Sequence, residues 1–251
     1  MINVPLRGVV IYRGPSQIDG NPIVAIATLK TDNAKTGDMV QTWILREDVD
    51  PIEAINTGDD VSICGSCPLR GMIEDGRNRQ RACYVQVRNA PRGVWYAWQR
   101  GLYPDYNPRI HKQLLRERKL RLGSYGDPVA VPYRVWKPLV DLASGHTGYT
   151  HQWREPKHRF FKRLIMASVE TTQQAALAKG RGWRYFRTMQ TIDDMERGEI
   201  LCPASDEAGK RRQCESCLAC NGSGGNPQRV SIAIVAHGSK ATLSSYRKLA
   251  G

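Results

Sequence analysis

The chain has 251 residues, of which 41% are hydrophobic and 24% are charged. A chain of this size and composition can bury an apolar core, so it does not need disulfides or a metal merely to fold. No apolar run approaches the roughly 18 residues that cross a bilayer, and we expect no membrane partner. The net charge of +13 attracts polyanions, so nucleic acid or another anionic ligand is a candidate partner.

The predicted elements start with strands and then alternate between strands and helices. Strands are expected at residues 4–12, 23–29, 39–45, 61–63, 82–88, 119–123, 145–152, 164–169, 183–189, 200–201 and 230–236. Helices are expected at residues 51–56, 94–100, 108–118, 133–143, 171–181 and 192–197. Such alternation predicts βαβ units and a mainly parallel sheet, curled into a barrel or open, whose loops after the strands carry the chemistry.

The elements and the cysteines divide the chain into three parts. Residues 1–60 are expected to form a β-rich segment, residues 61–200 a (β/α) core, and residues 201–251 a cysteine-rich metal-binding segment with a final strand. The first ten residues lack the apolar core and the cleavage site of a signal peptide, so we expect a cytoplasmic protein with reduced thiols. Seven clustered cysteines, an odd number, then indicate metal ligands rather than disulfides.

Four of the cysteines form a set near the C-terminus. They are Cys202, followed by Pro203, and then Cys214, Cys217 and Cys220 at two successive x2 spacings. Three closely spaced thiolates with a remote cysteine-proline pair are typical of bacterial ferredoxin clusters, which favours a closed [4Fe-4S] centre. Zinc is the alternative, because four thiolates also suit tetrahedral Zn²⁺.

The other three cysteines, Cys64, Cys67 and Cys83, form a set that is one ligand short of a closed site. Either a His or Asp completes it, with His237 as a candidate, or an iron keeps a position open for a small molecule. The structural alternative is that Cys83 is a buried core cysteine and that the Cys64–Cys67 spacing is incidental.

Three stretches between the two sets resemble parts of the radical SAM enzymes. Residues 120–128 are similar to the second barrel strand and its Gly-rich turn, residues 146–151 lie where the third strand is expected, and residues 164–170 are similar to the fourth strand. The whole pattern resembles still more closely a group of bacteriophage-encoded, cysteine-rich proteins with radical-SAM-like barrels and no assigned reaction. The cysteine spacing, C-x2-C-x15-C, departs from the C-x3-C-x2-C of the radical SAM family.

That resemblance implies an α/β fold with a partial (β/α) barrel, [4Fe-4S] clusters and a host cytoplasm for a phage-encoded protein. It also implies S-adenosylmethionine as a candidate cofactor. The candidate residues for that cofactor are Gly126 and Asp127 in the turn, and Ser168 and Glu170 in the fourth strand. In the family's turn the acidic residue is Glu, whereas this chain has Asp127.

Histidines and basic stretches supply further candidates. His146 and His151 could act as ligands or proton carriers, or could simply satisfy hydrogen bonds in a loop. Basic residues of 109–121, and of 154–163 around Phe160-Phe161, suit single-stranded nucleic acid or else a solvated helix face with the Phe pair packed inward.

The sequence thus predicts an iron–sulfur protein of unknown reaction, with a redox or radical-SAM-like enzyme as one form of it. The alternatives are a non-enzymatic electron carrier and a nucleic-acid-binding protein stabilised by zinc or a cluster.

Overall fold

The computed structural model describes residues 6–224 and 229–250. Its strands are β1 (Gly8–Pro15), β2 (Pro22–Thr28), β3 (Val40–Arg46), β4 (Met72–Glu74), β5 (Arg77–Arg79), β6 (Lys119–Tyr125), β7 (Gly145–Thr150), β8 (Met166–Val169), β9 (Tyr185–Met189), β10 (Glu199–Leu201) and β11 (Ser231–Val235). Its helices are α1 (Pro51–Thr57), α2 (Val61–Cys64), α3 (Ala90–Gln99), α4 (Pro108–Leu115), α5 (Tyr133–Leu142), α6 (Thr172–Gly180), α7 (Cys214–Cys217) and α8 (Lys240–Ala250).

One large sheet organises the described residues. It has nine strands in the order β1-β2-β3-β6-β7-β8-β9-β11-β10, and a separate hairpin is formed by β4 and β5. The pairs β1–β2 and β2–β3 are antiparallel, and every pair from β3 to β10 is parallel. The expected α/β fold with a mainly parallel sheet is confirmed, and the sheet continues across the boundary predicted at residue 60.

The two faces of the parallel strands have different surroundings. On β6, Leu120 and Leu122 point to the main apolar core, which also contains residues of α5 and α6. Arg121, between the two leucines, points to the opposite face, because successive side chains of a strand alternate. A second, smaller apolar cluster covers that opposite face and includes Met166, Ile232 and several cysteines. The sheet therefore has an apolar back and a front that faces the cysteine-rich segment.

Local signals set the ends of the helices. Asp50 accepts a hydrogen bond of 2.8 Å from the backbone N–H of Ile52 at the start of α1, and Pro51 occupies the first helical position. Thr171 caps α6 in the same way, accepting from the N–H of Gln174 at 3.2 Å. The expected helices at residues 51–56 and 171–181 are confirmed.

Two predicted strands were wrong, and both lie near the N-terminal cysteines. Residues 61–63 belong to α2, because the carbonyl of Asp60 accepts from the N–H groups of Ile63 and Cys64 at 3.1 and 2.8 Å. Residues 82–88 form no strand, although exposure alternates from residue 83 to residue 88, since no neighbouring strand supplies a ladder of hydrogen bonds. Residues 4 and 5 of the first predicted strand lie outside the described residues.

The basic stretch 154–163 folds as two short 3₁₀ helices, Gln152–Arg154 and Pro156–Arg163. Phe161 is buried there, whereas Phe160 is 53% exposed, so only one of the pair packs inward. Among the described residues, no helix combines the length and the apolarity needed to cross a membrane.

Candidate functional site

The N-terminal cysteines lie on three consecutive features of the chain. Cys64 ends α2, Cys67 precedes a 3₁₀ turn at Pro68–Arg70, and Cys83 follows the β4–β5 hairpin. All three are free thiols. Burial raises the pKa of the Cys64 thiol well above its ordinary value, and the nearby Asp60, Cys67 and Cys83 raise it further. The three thiols therefore lie within electrostatic range of one another.

A buried carboxylate holds this cysteine region together. The side chain of Asp60 is 0% exposed and pairs with Arg70 at 2.6 Å and with Arg81 at 3.3 Å. Burial raises the pKa of Asp60, and the two guanidinium groups oppose that rise. Because Arg70 follows Cys67 and Arg81 precedes Cys83, the two ion pairs fix both cysteines relative to α2.

A second set of hydrogen bonds ties the Cys64 loop to the carboxyl ends of β6 and β7. Gln152 donates from Nε2 to the carbonyl of Cys64 at 3.0 Å, and its Oε1 accepts from the N–H of Ser66 at 3.2 Å. Gly65 permits this approach, because a Cβ there would lie 2.5 Å from the side-chain Cδ of Gln152. Gln152 thus connects the loop between Cys64 and Cys67 to the end of β7.

Asp127, in the turn after β6, is the centre of the same network. Its Oδ2 accepts from the Thr150 hydroxyl and from the His151 N–H, both at 2.9 Å, and its Oδ1 accepts from the Val129 N–H at 3.0 Å. Burial raises the pKa of Asp127, although these donors oppose the rise. Gly126 precedes it at φ +81, where a Cβ would meet the Ile44 carbonyl oxygen at 2.8 Å. The turn needs glycine at that position, and the carboxylate is turned inward.

His151 lies between Cys67 and Glu170. Its Nε2 is 2.7 Å from Glu170 Oε1 and 4.0 Å from Cys67 Sγ. Burial lowers the pKa of His151, but the Cys67 thiol and the Glu170 carboxylate outweigh it and leave that pKa well above its ordinary value. Since one ring nitrogen makes both contacts, the three groups do not have the arrangement of a Cys-His-acid triad, which uses opposite nitrogens. His151 thus places an imidazole nitrogen beside the N-terminal set.

The C-terminal cysteines are supplied by the segment that covers the front of the sheet. Cys202 follows β10, and its N–H donates to the Ala233 carbonyl at 2.8 Å. Cys214 and Cys217 lie at the two ends of α7, and Leu218 then adopts a left-handed conformation at φ +50. The Cys220 carbonyl accepts from the N–H of Gly148 in β7 at 3.0 Å. All four side chains line one cavity of about 320 Å³.

Arg184 anchors the end of this segment. Its guanidinium is 2% exposed and donates to the Gly222 carbonyl at 2.6 Å and to the Val230 carbonyl at 3.0 and 2.6 Å. These bonds hold the backbone on both sides of residues 223–229 against the start of β9. The position of Cys220, two residues before Gly222, depends on this anchor.

The cavity lies between the sheet front and the cysteine segment. Its sheet wall includes Arg121, Tyr149 and Phe186, and its opposite wall includes the four C-terminal cysteines. The rings of Tyr149 and Phe186 pack with centroids 4.4 Å apart. Ala82 and Tyr84 also line it, on either side of Cys83, so the cavity separates the two cysteine sets.

Cysteine sulfur is a common metal ligand, but the cysteine side chains of this structure do not form closed ligand shells. All seven cysteines are free thiols, and the C-terminal four share one cavity. Within residues 6–224 and 229–250, no three His, Cys, Asp or Glu side chains form a group that could hold a metal ion as they stand. Binding of a metal centre at either cysteine set would therefore require the cysteine side chains to turn toward one another.

The structure brings most of the predicted site residues to these two places. Asp127 and Glu170 both contact His151, whereas Ser168 uses its carbonyl to accept from Trp153 Nε1 at 3.0 Å. His146 contacts the Leu164 carbonyl at 2.8 Å. His237, a candidate ligand for the N-terminal set, packs on the ring of Tyr84 at 5.2 Å and lines the cavity.

Sequence reasoning missed Asp60, Gln152 and the individual role of Arg121. The basic stretch 109–121 predicts exposed side chains, yet Arg121 is only 8% exposed. Its signal is its place between two leucines in a strand, where an inward charge is uncommon. Asp60 and Gln152 carry no such local signal, because their partners lie far along the chain.

Comparisons with protein-family models, with curated proteins and with solved structures gave no match to this chain.

Proposed function

We propose that the chain is an iron–sulfur protein with two cysteine-ligated centres on a radical-SAM-like partial barrel. The observation that carries the proposal is the shared cavity of Cys202, Cys214, Cys217 and Cys220. The donors are free thiols, contributed by a ferredoxin-like run and a remote cysteine-proline pair, which suits [4Fe-4S] better than zinc.

The strand order supports the barrel part of the proposal. The parallel strands β3, β6, β7, β8 and β9 are neighbours in chain order, as they are when consecutive βα units wind in one direction, and β11 then lies between β9 and β10. The N-terminal cysteines follow β3, Asp127 follows β6, His151 follows β7 and Glu170 follows β8. These side chains therefore come from the carboxyl ends of adjacent strands, where α/β proteins carry their sites.

In this proposal the N-terminal set is the reactive one. Cys64, Cys67 and Cys83 would hold an iron–sulfur cluster that lacks a fourth cysteine. His151 lies 4.0 Å from Cys67 Sγ as a further donor, and Glu170 holds its Nε2 at 2.7 Å. As long as that contact persists, one iron is left for an external ligand. A cluster held by these three cysteines would accept and donate electrons.

S-adenosylmethionine is the external ligand implied by the radical SAM resemblance. Gly126, Asp127, Ser168 and Glu170 would receive it. Asp127 and Glu170 are engaged by internal donors, so this ligand would have to displace the contacts to Thr150 and His151. The proposal places the protein in a reducing cytoplasm, the host's if it is phage-encoded, because free thiols persist there.

Metal analysis of anaerobically purified protein tests this proposal. Two centres of the [4Fe-4S] type predict about eight iron and eight sulfide per chain and a brown colour. Cys214→Ser/Cys217→Ser and Cys64→Ser/Cys67→Ser are each expected to lose about half of the iron, and Ser216→Ala, between two of the ligands, none. Protein that contains zinc without iron or sulfide would overturn the proposal.

The reaction is tested separately on the reduced protein. If S-adenosylmethionine binds at the open centre, its addition changes the cluster's electron paramagnetic resonance spectrum, and the Cys64→Ser/Cys67→Ser variant gives no change. An unchanged wild-type spectrum and no cleavage of S-adenosylmethionine would leave an electron carrier.

Nucleic-acid binding is the second candidate, favoured by one surface. Arg109, Lys112 and Arg116 are exposed together on and just after α4, in a chain of net charge +13. Electrostatic binding of DNA or RNA weakens steeply with salt. A triple Arg109→Gln/Lys112→Gln/Arg116→Gln variant is expected to weaken retention on a single-stranded DNA column at low salt, and unchanged retention would contradict this candidate.

A further inference from the structure

Arg121 differs from the other buried arginines in what its guanidinium contacts. Among the described residues, four arginines are less than 9% exposed: Arg46, Arg121, Arg184 and Arg187. Arg46 pairs with Asp48 and Arg187 with Glu199, while Arg184 donates to backbone carbonyls.

Arg121 has neither a carboxylate nor a backbone carbonyl as partner. It makes one long hydrogen bond, 3.4 Å, from Nη1 to the Thr147 hydroxyl, and its guanidinium lies 4.4 Å from the ring centroid of Tyr149. The other ionisable groups near it are the Tyr84 hydroxyl and the Cys214 thiol. None of the ion pairs between described residues includes Arg121. Residues 1–5, 225–228 and 251, outside the described part, contain no Asp or Glu in the sequence.

A buried cation without a counter-charge is costly, so buried charges are normally paired. Two groups could supply that charge at Arg121: a cluster held by the C-terminal cysteines, or an anionic ligand in the cavity. Arg121 meets the geometric requirement for such a ligand, because it lines the cavity on the sheet front. It occupies the front-facing position of β6 opposite Thr147 of β7, so the strand itself aims the side chain into the cavity.

We propose that this cavity binds a small organic carboxylate with a planar ring, whose carboxylate pairs with the guanidinium of Arg121 and whose ring packs among Tyr84, Tyr149 and Phe186. The inference names the substrate class for the iron–sulfur protein proposed above and rests on that function only for the ligand's place between the two cysteine sets. A cluster would lie against the cysteine wall of the cavity, and the ligand is placed against the sheet wall with Arg121.

The chemistry of the walls selects this class of ligand. The planar fork of one arginine matches a carboxylate in a bidentate contact, whereas sites for phosphate dianions usually combine several cationic or backbone donors. Besides Arg121 and a few polar side chains, the sheet wall presents Tyr149, Phe186 and Ile234, whose aromatic and apolar surfaces suit a ring. The volume of about 320 Å³ is at the lower end of small-molecule sites, so one or two fused rings fit.

Isothermal titration of the anaerobically purified protein with 2-naphthoate tests the proposal. Its neutral amide, 2-naphthamide, is the matched ligand control, and 2-naphthyl phosphate tests the anion class. Wild-type protein is expected to bind 2-naphthoate at least tenfold more tightly than either compound. Arg121→Met is expected to weaken binding at least tenfold, and Arg121→Lys is expected to weaken it less.

Arg100→Met is the matched variant, because it removes the same charge from an exposed position just after α3. It is expected to leave binding unchanged. In the absence of ligand, Arg121→Met is expected to unfold at the wild-type temperature or above, because the substitution deprives no Asp or Glu of its ion-pair partner. If Arg121→Met does not fold, the comparison of 2-naphthoate with 2-naphthamide on wild-type protein still decides the matter.

Several outcomes would overturn the inference. They are equal binding of 2-naphthoate and 2-naphthamide, tighter binding of the phosphate, equal effects of the two methionine variants, or no binding by wild type. Loss of iron from Arg121→Met without any carboxylate binding to wild type would make Arg121 a counter-charge for a cluster. Absence of iron with normal 2-naphthoate binding would overturn the proposed function and leave this inference standing.

Discussion

Asp60→Asn is the substitution that most directly tests how the N-terminal cysteines are held. The change keeps the size and shape of the side chain and removes its charge. Asp60 is 0% exposed and is the carboxylate that Arg70 and Arg81 share. An asparagine can still accept one hydrogen bond from Arg70, but it leaves two guanidinium groups without a counter-charge.

The size of the effect follows from the burial of the three groups. Removing one partner of a buried ion pair costs about 3–5 kcal/mol. The side chains of Arg70 and Arg81 remain 18% and 19% exposed, so water screens part of the uncompensated charge. We therefore expect a loss of about 2–4 kcal/mol in the free energy of unfolding. For a chain of this length, a loss of about 3 kcal/mol lowers the melting temperature by roughly 6–12 °C.

Equilibrium unfolding in urea, followed by circular dichroism at neutral pH, measures this loss. Asp206→Asn is the control, because it removes the same charge from the Lys210–Asp206 pair, whose side chains are 71% and 74% exposed. That change is expected to leave the urea midpoint unchanged within the error of the measurement, because water screens an exposed pair. Iron analysis of the same samples should show a loss from Asp60→Asn alone. If both variants unfold at the same urea concentration, the Asp60 network does not hold the cysteine region as argued.

Three further predictions concern other parts of the site. Arg184→Met removes three hydrogen bonds to carbonyls beside the C-terminal cysteine segment, so it should lower stability by about 2 kcal/mol or more and reduce the iron content. Gln152→Leu breaks the link to the loop after Cys64, so limited proteolysis of that loop should become faster while the Gln99→Leu control stays at the wild-type rate. Burial, and then the charge of the neighbouring lysine, lowers the pKa of His158 from 6.5 to about 4, so its neutral form is favoured in the folded state. Its contribution to stability is therefore intact above pH 6.5 and lost as the pH falls toward 4, and His158→Gln should flatten the decrease in melting temperature over that interval.

Features encoded within a short stretch of chain could be predicted from the sequence. The two cysteine sets, the cap of α6 and the alternation of strands with helices all depend on neighbours a few residues apart. The mainly parallel sheet followed from that alternation. The placement of Asp127 after one strand and of His151 after the next also followed, because parallel strands end at the same edge.

Contacts between distant residues could not be predicted in the same way. Val61–Ile63 has the apolar, β-branched character of a strand, but the need to bury Asp60 against Arg70 and Arg81 makes it helical. His237 is one candidate ligand of the N-terminal cysteines and packs on Tyr84, next to Cys83, while the turn of the chain after β7 brings His151 to Cys67. At Val61–Ile63 a tertiary contact outweighed the local pattern, and the contact of His151 with Cys67 joins residues too far apart in the sequence to be predicted.

The arginines of the strands show why a binding role is harder to predict than a structural one. Arg121 and Arg187 both lie within parallel strands and are 8% and 3% exposed, so burial does not distinguish them. The two arginines differ in their ion-pair partners. Glu199, at the start of β10, lies 2.7 Å from the Arg187 guanidinium. Arg187 is neutralised by the fold, whereas Arg121 faces a cavity between two cysteine sets with no carboxylate partner among the described residues. A buried charge that the fold leaves unbalanced costs stability, and an anionic ligand in the cavity would recover that cost on binding.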